Sequence, residues 1–233
     1  MFKKEAIQNF LYFDVETACA YEGYDSMSEL NPRLATLWSK RANYYRGANT
    51  ELTGATDGEI FLQKGSLEPE FSRVVCVTFG TFTEDGEKKF ISFAGQDEIA
   101  ILNKTNKVLN NAMAKNWKLC GHNIKGFDVP CLGKRMVFNG INPSGNIQIW
   151  DKKPWEIPYV DTSDIFAFGS WVQQKYLSLD LLACSLNIPS PKGDLDGSKV
   201  NHTYWIEKDY DKISTYCEAD VKTVMDVMEK VCF

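Results

Sequence analysis

The sequence has no apolar run near the roughly 20 residues that would cross a bilayer, so no membrane partner is expected. Lys3 and Lys4 stand near the start, but Asp14 and Glu16 break the apolar stretch behind them, which does not fit a secretory signal. Histidine is scarce: His122 and His202 are the only two, too few for a structural zinc site. The seven cysteines (Cys19, Cys76, Cys120, Cys131, Cys184, Cys217 and Cys232) are odd in number and contain no C-x-x-C pair. That pattern suits free thiols in a reducing, cytoplasmic compartment, not a disulfide framework. An excess of positive charge is missing too. A net charge of −5 argues against a protein that coats nucleic acid through a broad basic surface. It leaves open an enzyme that grips a few nucleotides at a strand end. Internal repeats and low-complexity tracts are also absent.

What is present is an alternation of strand and helix signals. Residues 10–16 read as a short strand. The runs 73–81 and 88–94, joined through Glu84-Asp85-Gly86-Glu87, carry the Asp-Gly signature of a β-hairpin. Residues 117–121 and 159–161 suit two further short strands. Helical periodicity covers 96–115, 127–139, 177–187 and 209–231, with Asp128 in a first turn and Gly140 just past a helix end. Strands first, then strands alternating with helices, indicate an α/β fold with helices flanking a mixed five-stranded sheet. The polar segment at 18–70 is too long for a simple connection and reads as a functional insertion or partly disordered, with a helix near 32–45. There Lys40, Arg41 and Arg46 alternate with Trp38, Tyr44 and Tyr45, either a base-stacking basic segment or a solvated helix face.

Three acidic motifs stand out. In Asp14-Val15-Glu16 the alternation of a strand puts both carboxylates on one face, where their repulsion calls for a cation. In His122-Asn123-Ile124-Lys125-Gly126-Phe127-Asp128, Asp128 opens a helix, where it complements the helix dipole. In Tyr216-Cys217-Glu218-Ala219-Asp220, helical spacing sets Asp220 in a stripe with Ile213, Cys217, Val224, Val227 and Val231, and leaves Glu218, Lys222, Asp226 and Glu229 outside. An acid in an apolar stripe needs a basic partner or a metal. Tyr216 lies four residues earlier on the same face. Four hard oxygen ligands without a nearby histidine suit Mg²⁺ or Mn²⁺.

These residues resemble the DEDD superfamily of 3′→5′ exonucleases, whose fold is ribonuclease-H-like. Its motifs, D-x-E, N-x₂₋₃-(F/Y)-D and Y-x₃-D, match Asp14-x-Glu16, Asn123-x₃-Phe127-Asp128 and Tyr216-x₃-Asp220 in order. The tyrosine marks the DEDDy branch; the histidine of the sister branch would stand at position 215, which is Thr215. Leu177-Ser178-Leu179-Asp180 and Asp196-Gly197-Ser198-Lys199-Val200 are similar to the stand-alone exonucleases related to the proofreading domain of family-B DNA polymerases. The likeness spans nearly all of the chain except about 18–65.

The resemblance implies one exonuclease domain over 1–233, interrupted by the insertion at 18–70. It implies two divalent ions, Mg²⁺ or Mn²⁺, held by Asp14, Glu16, Asp128 and Asp220. Tyr216 orients the attacking water, and the product is a nucleoside 5′-monophosphate. The substrate is a single-stranded 3′ end, DNA favoured over RNA, since no length remains after Phe233 for the helical domain of a ribonuclease D-like exoribonuclease. Asn123 contacts the substrate or braces its own turn, Phe127 flanks a base or packs in the core, and Lys125 is a candidate phosphate contact. Asp161 and Asp164 read as helix caps. Outside the enzyme class stands a non-catalytic nucleic-acid-binding module on the same fold; retention of all four acids disfavours it.

Overall fold

Both faces of the first strand are covered, and this organises the molecule. The computed structural model describes residues 3–169, 177–190 and 195–232. After helix α1 (Lys4–Ile7), strand β1 (Phe10–Cys19) is buried along its length except at Asp14, which is half-buried. Alternation sends Leu11, Phe13 and Val15 to one face, packed with Phe79, Leu102, Leu109 and Leu132. Phe10 and Tyr12 go to the other, against Val221, Val224, Met225 and Met228.

Helices α2 (Tyr24–Leu30), α3 (Pro32–Ala48) and α4 (Asp57–Lys64) follow, then β2 (Ser72–Phe82), β3 (Lys88–Ala94), α5 (Glu98–Ala114), β4 (Lys118–Gly121) and α6 (Asp128–Phe138). Strand β5 (Val160–Asp161) and helices α7 (Thr162–Ala167), α8 (Leu179–Ser185), α9 (Val200–His202) and α10 (Tyr210–Lys230) complete the order. The sheet runs β3-β2-β1-β4-β5; β2 is antiparallel to β1 and β3, while β1, β4 and β5 are parallel neighbours. This is the expected mixed five-stranded α/β sheet. Gly86 adopts the positive φ of 83° that the expected hairpin turn requires. Among the described residues, no helix is long and apolar enough to cross a membrane.

Two expectations need correction. The segment at 18–70 is not disordered: it is largely helical, and α3 takes in the helix expected near 32–45. Trp38 is fully buried among Met27, Ile60, Phe61 and Phe71, and its indole Nε1 donates to the Asp57 carbonyl at 2.9 Å. Arg41 pairs with Glu68 and Arg46 with Asp57, so those cations and this indole serve the local fold and do not form a base-stacking face. Helices α2 and α4 carry weak sequence signals, because Asp25, Ser26 and Ser28 in one and Asp57 and Gly58 in the other are common loop residues; Thr56 and Glu59 form a capping box that starts α4.

On α10 the apolar stripe is broader than a single-faced helix would have. Val221, Met225 and Met228 are buried as well, because α10 covers the sheet and also packs Val227 against Leu182 and Ala183 of α8. Asp220 sits at the border of that stripe, half-buried, and Asp226 is half-buried and paired with Lys88 and Lys222. Glycine permits the close fit: a Cβ at Gly80 would meet Val221 Cγ1 at 2.8 Å and Met225 Sδ at 2.9 Å.

Candidate active site

Strand β1 pairs with β4 only from Phe10 to Tyr12 and then parts from it. The Val15 amide beyond that point still needs an acceptor. Asp128 Oδ1 supplies one at 3.0 Å, and its side chain is nearly inaccessible at 3% exposure. The second motif is thus tied to the first by a buried hydrogen bond. The loop leading to Asp128 is held just as firmly. Asp161, at the end of β5, accepts from the amides of Asn123 (2.8 Å) and Lys125 (3.0 Å) and caps α7 through the Ser163 amide. The expected capping role of Asp161 is therefore observed, with the bracing of the 122–127 loop added. His122 bridges Thr162 and the Leu177 carbonyl, and burial lowers its pKa.

The third motif arrives on α10. Cys217, fully buried, donates its thiol to Asp14 Oδ2 at 3.3 Å and to the Asp14 carbonyl at 3.5 Å. Ligand atoms of Asp14, Glu16 and Cys217 all lie within 4.8 Å of one another. Asp128 and Asp220 stand outside that tight group but close enough to act on it: Asp14 raises the Asp128 pKa, and Asp14, Asp220 and Asp128 raise that of Glu16. Tyr216 lies close enough to Asp220, Glu16 and Asp14 for their charges to add to the effect of burial on its phenol. The fold thus brings the five residues into one neighbourhood, in which only Asp14 and Glu16 belong to the tight group.

The electrostatics follow from burial. Desolvation first, partly offset by the Cys217 thiol donated to its carboxylate, lifts the Asp14 pKa from 3.8 to about 6. Desolvation and the neighbouring carboxylates push Glu16 and Asp128 well above the carboxylate range. Among the described residues no lysine or arginine forms an ion pair with Asp14, Glu16 or Asp128. Three desolvated acids, Asp14, Glu16 and Asp128, with no lysine or arginine paired to them among the described residues, fit a hard divalent cation with oxygen ligands. The Cys217 thiol does not: burial and the adjacent carboxylates raise its pKa well above 9.0, so it remains a donor that orients Asp14. Its place in the apolar stripe of the third motif, next to Tyr216, marked this cysteine as core and gave no sign of its contact with Asp14. Burial raises the Tyr216 pKa, so its phenol keeps its proton.

The three candidate substrate residues lie beside Asp128 and are differently engaged. Asn123 adopts a left-handed φ of 57° and its carbonyl accepts from the amides of Gly126 and Phe127, a turn-bracing arrangement. Phe127 packs against the core of Phe13 and Leu132. Lys125 Nζ is paired with Asp164 at 2.6 Å.

Comparison with known proteins gives a consistent result. A family model described as "Predicted 3'-5' exonuclease related to the exonuclease domain of PolB" matches residues 66–227, which include Asp128, Tyr216 and Asp220 but begin after Asp14 and Glu16. Among solved structures, the family B DNA polymerase from the hyperthermophilic archaeon Pyrobaculum calidifontis is similar, with a TM-score of 0.55 and 16% identity over 95% of this chain. The chain spans 24% of that polymerase's length, and at this identity the likeness concerns the fold. No curated protein matches.

Proposed function

We propose, because the chain belongs to the family of predicted 3'-5' exonucleases related to the exonuclease domain of PolB, that it hydrolyses the terminal phosphodiester of a single-stranded 3′ end, DNA in preference to RNA, and releases nucleoside 5′-monophosphates. The observation that carries this reading is the meeting of three distant acidic motifs in one desolvated cluster.

In this reading Asp14, Glu16, Asp128 and Asp220 are the groups that would hold Mg²⁺ or Mn²⁺. Two such ions, when bound, supply a hydroxide nucleophile and charge stabilisation at the leaving 3′-oxygen. The chain's own residues then have separable tasks. Cys217 and the Val15 amide hold the carboxylates of Asp14 and Asp128 in place. Tyr216 orients the attacking water through its phenol without ionising. Asn123, Lys125 and Phe127 are the candidate substrate contacts, and a phosphate would have to draw Lys125 away from Asp164.

Digestion of 5′-labelled DNA and RNA oligomers with Mg²⁺, Mn²⁺ or chelator tests polarity, sugar choice and metal need together. The expected result is a ladder shortening from the 3′ end, abolished by chelator and by Asp14→Ala. Undiminished digestion by a pure, folded Asp14→Ala protein would remove the acid cluster from the chemistry.

A further inference from the structure

Past Glu16, β1 continues to Cys19, and Arg73 of β2 stands opposite Ala18. Arg73 therefore stands past the acids along the sheet, two residues beyond Glu16 on β1 and three beyond its partner Cys76 on β2. It lines a pocket of 490 Å³ with Tyr204, Trp205, Lys208, Tyr210 and Glu22. The Arg73 guanidinium lies over the rings of Tyr204 and Trp205 at 5.4 and 6.0 Å. Its Nη2 donates to the Gln96 carbonyl, while its buried Nε has no hydrogen-bond acceptor. Trp205 is pinned at its edge by Nε1 donating to the Cys19 carbonyl at 3.0 Å, which steadies its ring.

The backbone here is unusual. Thr203–Glu207 forms a π-helical turn, a rare conformation concentrated at functional sites, and Lys208 closes it with a left-handed φ of 56°. Neither Arg73 nor Lys208 forms an ion pair among the described residues, and the carboxylate of Glu22 at the rim is one acid against two cations. Aromatic rings beside cations are the means by which proteins hold single-stranded nucleic acid, rings for bases and cations for the backbone.

The geometry points to a binding site for the nucleotide adjoining the one removed, its base against Trp205 and Tyr210 and its phosphate on Arg73 and Lys208. This inference rests on the nuclease reading above. The released nucleotide carries only the scissile phosphate, which lies among the acids. A second set of cations further along the same two strands suits the next phosphate of the retained strand.

The test compares wild type with Arg73→Gln, Trp205→Leu and the exposed Lys208→Ala. Affinity for a labelled oligodeoxythymidylate is measured in chelator. Initial rates with Mn²⁺ are measured on the same oligomer and on the p-nitrophenyl ester of thymidine 5′-monophosphate, which is too short to reach the pocket. Each variant is expected to weaken oligomer affinity and raise its KM about tenfold, the scale of one lost stacking or phosphate contact. Oligomer kcat and turnover of the ester should stay unchanged, and Lys208→Ala should lower the salt dependence of binding by about one counterion. Unchanged oligomer affinity in Arg73→Gln and Lys208→Ala overturns the site, as does an equal loss on oligomer and ester. A wild-type protein that cleaves neither substrate sinks the nuclease reading alone; the affinity comparison then still supports or overturns strand contact at this pocket.

Discussion

Asp14 illustrates what one residue does in this structure. It is enclosed by β1 and α10, loses water, and its pKa rises from 3.8 to about 6, with Glu16 and Asp128 displaced in the same direction. An acid raised on folding contributes stability below its unfolded pKa and loses that contribution as pH rises through the folded value. In chelator, Asp14→Asn should therefore melt higher than wild type above pH 6, with the gap closing toward pH 4. Saturating Mn²⁺ should reverse the order by stabilising wild type alone. Equal melting temperatures across that range in chelator would mean that the carboxylate is not desolvated. Tyr216 makes a different prediction, because its phenol acts as a neutral hydrogen-bonding group. Tyr216→Phe should slow turnover by roughly 10²-fold, in line with the loss of one acid–base or orienting group. Metal-dependent stabilisation should remain, and an unchanged rate would release Tyr216 from the mechanism.

At the scale of elements, the site depends on how closely α10 lies on β1 and β2. Gly80 allows that approach: any side chain there would collide with Val221 and Met225. Gly80→Val is expected to destabilise by about 1–3 kcal/mol, the usual cost of overpacking. It should also lower activity, because it lifts the helix that carries Tyr216 and Asp220. A variant with wild-type stability and turnover would show that α10 can rise without harm. Beside the second acid, the β1–β2 register slips between Glu16 and Thr17, a β-bulge of the kind that re-aims side chains near active sites. No sequence signal marked that slip, because it depends on which β2 residue is left unpaired. The caps, in contrast, were written locally: Asp97, Ser178 and Asp209 each accept from the first turn of the helix they precede.

The whole molecule joins this sheet to the helical insertion. Helices α2 to α4 enclose their own apolar cluster around Trp38, and they reach the sheet through Thr17 Oγ1, which donates to the Ser66 carbonyl at 2.7 Å, and Cys19 Sγ, which donates to the Phe61 carbonyl at 3.3 Å. Trp38→Ala should cost about 3–5 kcal/mol, typical of an emptied aromatic site. Protease cleavage should then appear first within 24–67, while the far side of the sheet stays protected. Simultaneous loss of protection throughout would show that insertion and sheet unfold as one unit.

The sequence by itself determined the five strands and the longer helices outside the insertion, though not the short α1, α7 and α9, because periods of two and of about 3.6 are local properties that need several residues to show. It also singled out the four acids and the tyrosine as candidates, since their spacings are carried within short segments. Only the tertiary structure decided that Asp128 would cap the Val15 amide, that Cys217 would face Asp14, that Trp38 would be core, and that Arg73 would meet Trp205. Each of those contacts joins residues that are distant along the chain or pointed by register, bulge and helix rotation. Such directions are settled by packing and by the demand that buried polar groups find partners, and no short stretch of sequence encodes them.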